Sequence, residues 1–453
     1  MIWAGLKERL SSLHDDHRRI ALGAMRVAFF LLLGKAAGAF KEMAVAYRYG
    51  VSDVVDAYQF TMVMANWLPV TIVGSMSVVL IPVLVRLHRL EPAARSRFLG
   101  ELKAWCIVLG CVLGALIWIS WPWVLQWTGQ GLSPAVHEMS RELLFAFAPA
   151  AVLTLMIGLS AARLRAHERH INTLLESVPA FVILIWVLAA GGNAGIGPLL
   201  WGTLLGMTIQ AVWLMILASR ADQIWARPTI SLRAEQWPDL LKAATIMLVG
   251  QVAMSFVGPI DQYTAANLGA NANATLGYAT RLLALVLGVG AASVGRAALP
   301  VLADIQSRGD NARARSMALK WSVMMLAAGA VAAAIGVLLA PWGVALLFER
   351  GAFTAQDTAT VAQVFSWGLV QLPFYFGVLI LVQLLASQNR YKSMAIIAVI
   401  NFLVKAALNP ILAARMGPSG IMLATSLMYA ASFTCYFILA LKPASAFAPG
   451  SQE

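Results

Sequence analysis

Charge is what this sequence has least of. Asp, Glu, Lys and Arg make up 12% of its 453 residues, while 60% are hydrophobic. A soluble globular domain carries about 25% charged residues, so a soluble or fibrous protein is excluded and a polytopic membrane chain is indicated. Cysteine is nearly absent. Cys106, Cys111 and Cys435 sit in apolar runs with neither CxxC nor Cys/His spacing, which excludes a zinc site or a disulfide framework of the usual patterns. The six histidines (His14, His17, His88, His137, His167 and His170) fall in stretches expected to be loops or tails, leaving none as a proton relay inside a span. No HExxH, nucleophile elbow or P-loop occurs, and GVGAAS, starting at Gly288 inside a span, is expected to serve helix packing. Met1 to Arg19 is polar, mixed in charge and without the short apolar core of a cleavable signal peptide. Ile2, Trp3, Leu6 and Leu10 suit an interfacial helix there, with the first span as an uncleaved anchor.

What is abundant is long apolar runs. A bilayer-crossing helix needs about 20 such residues, and about twelve runs qualify. They centre near Leu33, Val70, Leu113, Leu153, Ile183, Met207, Val252, Leu287, Ala330, Gly377, Ile400 and Tyr429. Alternate connections hold nearly all the Lys and Arg. One set contains Arg86 to Lys103, Arg163 to Arg169, Arg220 to Lys242, Arg308 to Lys320, Arg390 and Lys392; the other has only Arg48, Arg141, Arg350 and Arg415. The positive-inside rule then places both termini in the cytoplasm, and the net charge of +12 reflects topology and anionic headgroups, with no nucleic-acid partner required. The expected organisation is a cytoplasmic interfacial segment at 1–19, an N-lobe at 20–222, a cytoplasmic linker at 223–236, a C-lobe at 237–442 and a cytoplasmic tail at 443–453.

The two lobes repeat one another. Pro122-Trp123 and Pro341-Trp342 lie 219 residues apart, as do Gly50 and Gly269; Pro82-Val83-Leu84 and Pro300-Val301-Leu302 lie 218 apart. A shared offset along the chain marks an internal repeat. With six spans each, both halves enter from the same side, which makes them parallel repeats. The expected fold is thus all-α, with two parallel six-helix lobes of the kind that alternating-access transporters use.

The scarce charges inside spans are therefore informative. A Lys or Arg at a helix centre costs about 2.5–3.5 kcal/mol by insertion scales, and normally faces a wet cavity or a partner. Lys35, Lys41 and Glu42 crowd the first span; Asp56, Glu176, Asp261, Arg281 and Lys405 lie in or at others, and Arg26 and Arg296 are near enough to span ends to snorkel. Seven residues apart, Lys35 and Glu42 share a helix face and can pair, while Lys41 projects about 120° away from Lys35. Lys35, Lys41 and Arg281 against Asp56 would make a net positive cavity, which concentrates anions; the favoured cargo is an anion, with diphosphate a good candidate.

Several segments resemble the MurJ/MviN family of the multidrug/oligosaccharidyl-lipid/polysaccharide exporter superfamily. LFERGAFTAQDT (Leu347 to Thr358) is similar to its L-F-x-R-G-x-F-T segment, GIMLATS (Gly420 to Ser426) to G-x-x-L-A-T-S, and ATRLL (Ala279 to Leu283) to A-D-R-L. The resemblance implies a flippase for undecaprenyl-pyrophosphate-linked glycans, with Lys35, Lys41 and Arg281 binding the diphosphate and Glu42 and Asp56 as charge partners. It also implies a coupling region at Asp261, Lys405, Asn409 and Thr425. Some family members hold sodium there, and the Lys405 ammonium stands where a metal ligand would. Where the family has P-N-x-L-R, this chain has Ala65-Asn66-Trp67-Leu68-Pro69, which removes one cavity arginine. That departure, lysine in place of arginine, and a count of spans below the family's usual number point to an exopolysaccharide repeat unit as cargo, with lipid II of peptidoglycan synthesis as the alternative. Expected partners are the lipid-linked glycan, membrane lipids and glycan synthesis or polymerisation machinery. No cofactor is expected; coupling would be to membrane potential or a monovalent ion. A cation or drug antiporter would place carboxylates rather than lysines in its cavity, a membrane glycan polymerase or ligase would need a larger outer loop, and a scaffold would need no buried lysine.

Overall fold

The computed structural model describes residues 33–87, 91–167, 171–191, 195–288, 311–388 and 390–441. The expected interfacial segment, Arg26, Arg296, Pro300-Val301-Leu302, all of GVGAAS past Gly288, and the tail lie outside these.

The chain is an all-α polytopic membrane protein, with no strand among the described residues. Its helices are α1 (33–49), α2 (Asp53–Leu87), α3 (Pro92–Thr128), α4 (Pro134–Ala166), α5 (Ile171–Leu175), α6 (Val178–Ala189), α7 (Gly197–Asp222), α8 (Trp237–Ser255), α9 (Val257–Ala266), α10 (272–288), α11 (Asn311–Phe348), α12 (Ala355–Leu369), α13 (Leu372–Ser387), α14 (Tyr391–Met416) and α15 (Pro418–Leu441). Among the described residues, eight helical stretches are long and apolar enough to cross a membrane. The repeat is visible in the helix boundaries. α3 starts at Pro92 and α11 at Asn311, 219 residues apart, and Pro122 and Pro341 lie inside these two helices. Gly50 and Gly269, in the turns before α2 and α10, both have positive φ (58° and 104°).

Three expected spans are broken. The fifth is split into α5 and α6, the seventh into α8 and α9, and the tenth into α12 and α13. Each break precedes a proline: Pro179, Pro259 and Pro373 cannot donate to the carbonyls of Leu175, Ser255 and Leu369, four residues back. Other helices run past the apolar core. Arg86, Arg163, Arg165, Arg220 and Arg415, expected in loops, occupy last turns of helices, and His137 sits in the first turn of α4. Basic residues suit a helix C-terminus, where unpaired carbonyls carry partial negative charge.

The chain divides into two compact units. Within the described residues one comprises 33–45, 72–117 and 145–245. Here α6 packs along α7, and Leu164, Leu175, Leu214 and Ala218 form a small core. The segment before α8 is laid along α3: Thr229 N–H donates to the Gly100 carbonyl (3.2 Å) and Trp105 Nε1 to the Ser231 carbonyl (2.9 Å). The buried Glu101 carboxylate accepts from Trp237 Nε1 (2.7 Å) and the Ala234 amide (3.2 Å), which ties the segment before α8 and its first residue to α3.

The other unit comprises 46–71, 118–144, 246–288 and 311–441. α11 packs on α12 and α13, α14 on α15, and α9 on both α14 and α15. The LFERGAFT stretch has a local physical explanation. Phe348 and Phe353 are buried against Tyr278 of α10, with ring centroids 5.3 Å from it in each case. Gly351 takes a left-handed φ of 63° against the backbone of Tyr47, and the Ala352 amide donates to the Tyr47 carbonyl (2.8 Å). Thr354 caps α12 in a capping box with Asp357. Gly351→Ala should therefore destabilise the protein by about 1–3 kcal/mol, through left-handed strain and a Cβ driven into the Tyr47 carbonyl. A Tm unchanged from wild type in detergent would contradict that packing.

Candidate functional site

Three clusters of charge inside helices stand out. The first lies where α9, α14 and α15 meet. Lys405 and Asn409 are one turn apart on α14, and both are 0% exposed. The Lys405 ammonium donates to Asp261 Oδ1 on α9 (2.8 Å), to the Ile421 carbonyl (2.9 Å) and to Thr425 Oγ1 (2.5 Å), the last two being one turn apart on α15. Asn409 Nδ2 donates to Asp261 Oδ1 and Thr264 Oγ1, each at 3.0 Å. A lysine this deep is tolerable only with such partners, and removing one side of a buried pair typically costs about 3–5 kcal/mol. The structure thus brings together all four residues expected in the coupling region, and adds Thr264, which no sequence motif marks, and the carbonyl of Ile421 within GIMLATS.

The arrangement also tests whether a sodium ion fits. It does not: the ammonium already sits at the point on which the Asp261, Ile421 and Thr425 oxygens converge, and a second monocation there would face one carboxylate shared with Lys405. Among the described residues no group of three or more His, Cys, Asp and Glu could hold a metal ion.

The second cluster lies where α2 meets the start of α10. Asp56 is fully buried and accepts from the Asn271 amide (3.1 Å, Oδ2) and the Ala274 amide (2.6 Å, Oδ1). It is an N-cap supplied from another helix, with its negative charge at the positive end of α10. One turn along α2, Gln59 Oε1 accepts from Arg281 Nη2 (2.6 Å), and Tyr278 O–H donates to the Gly50 carbonyl (2.9 Å). Asp56 therefore engages backbone amides, and Gln59 is a partner of Arg281 that sequence reasoning missed. Its only signal was a polar residue three positions after Asp56 in an apolar helix. Trp67, in the segment where the family has an arginine, donates to Ser255 Oγ (2.9 Å) and packs on Phe256 at 4.5 Å, at the break between α8 and α9.

The third cluster is on α1, in the other unit. Lys41 pairs with Glu42, the adjacent residue on α1. Lys35 lies on the same helix, partly exposed. That unit also holds Arg163, whose Nε donates to Asp222 Oδ2 (2.7 Å), while His167 Nε2 lies 2.5 Å from Asp222 Oδ1. Arg163 is buried, so it joins the ends of α4 and α7 rather than serving only as a topogenic charge. Glu176, in the break between α5 and α6, lies 3.8 Å from Arg165 and is half exposed.

Long apolar helices and an internal repeat define a polytopic all-α membrane protein of the architecture that alternating-access transporters use. A family model described as "Lipid II flippase MurJ" matches residues 45–451, and the chain belongs to that family. A probable lipid II flippase MurJ of Bdellovibrio bacteriovorus is 24% identical over 435 residues, covering 92% of this chain and 81% of that protein. Its counterpart from Synechocystis sp. is 26% identical over 435 residues, covering 90% and 79%. Among solved structures, a lipid II flippase MurJ in an inward closed conformation matches with a TM-score of 0.78 at 20% identity, over 92% of this chain and 87% of that one. An inward-facing multidrug resistance MATE family transporter matches at 0.70 and 15% identity, over 94% and 98%. At these identities the structural likeness shows the fold.

Proposed function

We propose that this protein is a lipid II flippase, moving the undecaprenyl-pyrophosphate-linked peptidoglycan precursor from the inner to the outer leaflet of the bacterial cytoplasmic membrane. The observation that carries this reading is the family match over residues 45–451. It favours peptidoglycan over the exopolysaccharide cargo expected from the loss of one arginine and the exchange of arginine for lysine. Ammonium groups still neutralise a diphosphate; what they lose is the bidentate geometry of guanidinium.

In this reading both termini are cytoplasmic. Lys35, Lys41 and Arg281 are the cations that neutralise the diphosphate; Glu42 beside Lys41 and Gln59 beside Arg281 hold those two side chains in place until the anion arrives. The lipid tail stays in the bilayer while the protein alternates access. No chemical step on the substrate is needed, so the protein acts as a transporter. The partners are the lipid-linked precursor, surrounding membrane lipids and the enzymes that make and polymerise the precursor.

Complementation provides the test. Expressed in a bacterium depleted of its own lipid II flippase, the protein should restore growth and prevent lysis. Membrane-localised protein at normal abundance that fails to restore growth, yet restores export in a strain lacking an exopolysaccharide flippase, would overturn the peptidoglycan assignment in favour of the exopolysaccharide one.

A further inference from the structure

The cluster around Lys405 has the geometry of a cation site that the protein fills itself. Three oxygens of different origin, a carboxylate, a backbone carbonyl and a hydroxyl, converge on one point at 2.5–2.9 Å. These are hard oxygen donors of the kind that coordinate metal cations not bound by thiolate or imidazole. An ammonium has three protons to donate, and all three are engaged, one per oxygen. Lys405 is wholly buried, so no water competes for its charge. Asn409 holds the Asp261 carboxylate in place from the next turn of α14, and its own Oδ1 is buried with no hydrogen-bond partner. An oxygen left idle beside a carboxylate is a spare ligand for a cation less directional than ammonium.

We propose that Lys405 is a tethered cation: its ammonium takes the place of an alkali-metal ion in joining α9, α14 and α15, so that this protein works without sodium at that point, and shortening the side chain uncovers a latent alkali-cation site made of Asp261, the Ile421 carbonyl, Thr425 and Asn409. Charge balance supports both halves. With Lys405 present, one carboxylate already faces one cation, and a second monocation would be repelled at close range in a poorly screened interior. With Lys405 removed, the Asp261 charge is uncompensated and the vacated volume is lined by oxygen. The inference concerns the packing of three helices and does not depend on which glycan is carried.

The test is the thermal stability of the full-length protein in nanodiscs, titrated with sodium chloride against choline chloride at constant ionic strength. Wild type should show no sodium-specific change in Tm. Lys405→Ser should melt lower in choline and recover with sodium in a saturable way, by roughly 2–4 °C or more. Lys405→Met, which fills the same space with an apolar chain, should also melt lower in choline but ignore sodium. A sodium-specific rise in wild type would overturn the proposal, as would a Lys405→Ser response no larger than that of Lys405→Met. Recovery of folded Lys405→Ser only from sodium buffers would support it. Failure of Lys405→Ser in both salts while Lys405→Met folds would count against it. Flipping or complementation by the same wild-type protein reports on cargo separately, so either reading can fail without the other.

Discussion

A variant with Lys35, Lys41 and Arg281 all replaced by alanine is expected to flip lipid II at least about a hundredfold more slowly than wild type while remaining folded. A hydrogen bond to a charged group is worth about 1.5–3 kcal/mol, so losing even one from the diphosphate accounts for roughly ten- to a hundredfold, and three are removed here. Lys41 pairs with the adjacent Glu42 on α1, and Arg281 donates to Gln59, so a Tm measured beside wild type checks that the variant is folded. Single replacements should rank with the chemistry. Arg281→Lys should keep more activity than Arg281→Ala, since charge is retained and only the planar fork is lost. A folded triple variant with wild-type flipping would remove these cations from the mechanism.

The second large effect is expected at Asp56, and it should appear in stability. Asp56→Ala leaves the Asn271 and Ala274 amides without their acceptor in a buried site, at about 1–3 kcal/mol for each unsatisfied group, and removes a charge that complements the α10 dipole. The expected loss is about 2–4 kcal/mol, large against the marginal stability of most proteins. Asp56→Asn keeps one acceptor oxygen and the side-chain volume and should fall in between. Thermal melts of the three proteins in detergent check the order. Equal Tm values for Asp56→Ala and wild type would mean that the carboxylate does not hold α10. A Tm of Asp56→Asn as low as that of Asp56→Ala would assign the effect to charge alone.

Much of this architecture could be read before any coordinates. Scarcity of charge established the membrane class, and a constant offset between Pro122 and Pro341 and between Gly50 and Gly269 predicted the repeat that the helix boundaries of α3 and α11 display. The LFERGAFT segment marked a specific turn because its residues have distinct physical roles, as two buried rings, a left-handed glycine and a capping threonine. What hydropathy did not reveal were the breaks. A window averaged over a span is blind to a single missing N–H, although Pro179, Pro259 and Pro373 stood in plain view.

Pairings were legible where both partners were ionic and rare, and obscure where one partner was backbone. Asp261 and Lys405 are conspicuous in apolar surroundings, and they meet. Asp56 was set against cations because charge suggests charge, whereas its partners are amide groups of the kind that every residue except proline possesses. On α1, helical periodicity puts Lys35 and Glu42 on one face and does not signal a Lys41–Glu42 contact, since adjacent residues project about 100° apart. A flexible lysine stem lets Lys41 reach its neighbour. Arg163 was counted with the topogenic charges, because nothing local distinguishes an arginine at a span end from one that bonds Asp222, 59 positions away.

The most direct test of the central claim is transbilayer movement of fluorescent lipid II in proteoliposomes holding only this protein, beside an undecaprenyl-diphosphate glycan unrelated to peptidoglycan. Lipid II is predicted to flip faster than in empty liposomes and faster than with the Lys35/Lys41/Arg281 alanine variant, with the other glycan moved more slowly. Active protein that moves the unrelated glycan but not lipid II, or folded wild type that moves neither faster than empty liposomes, would contradict that claim.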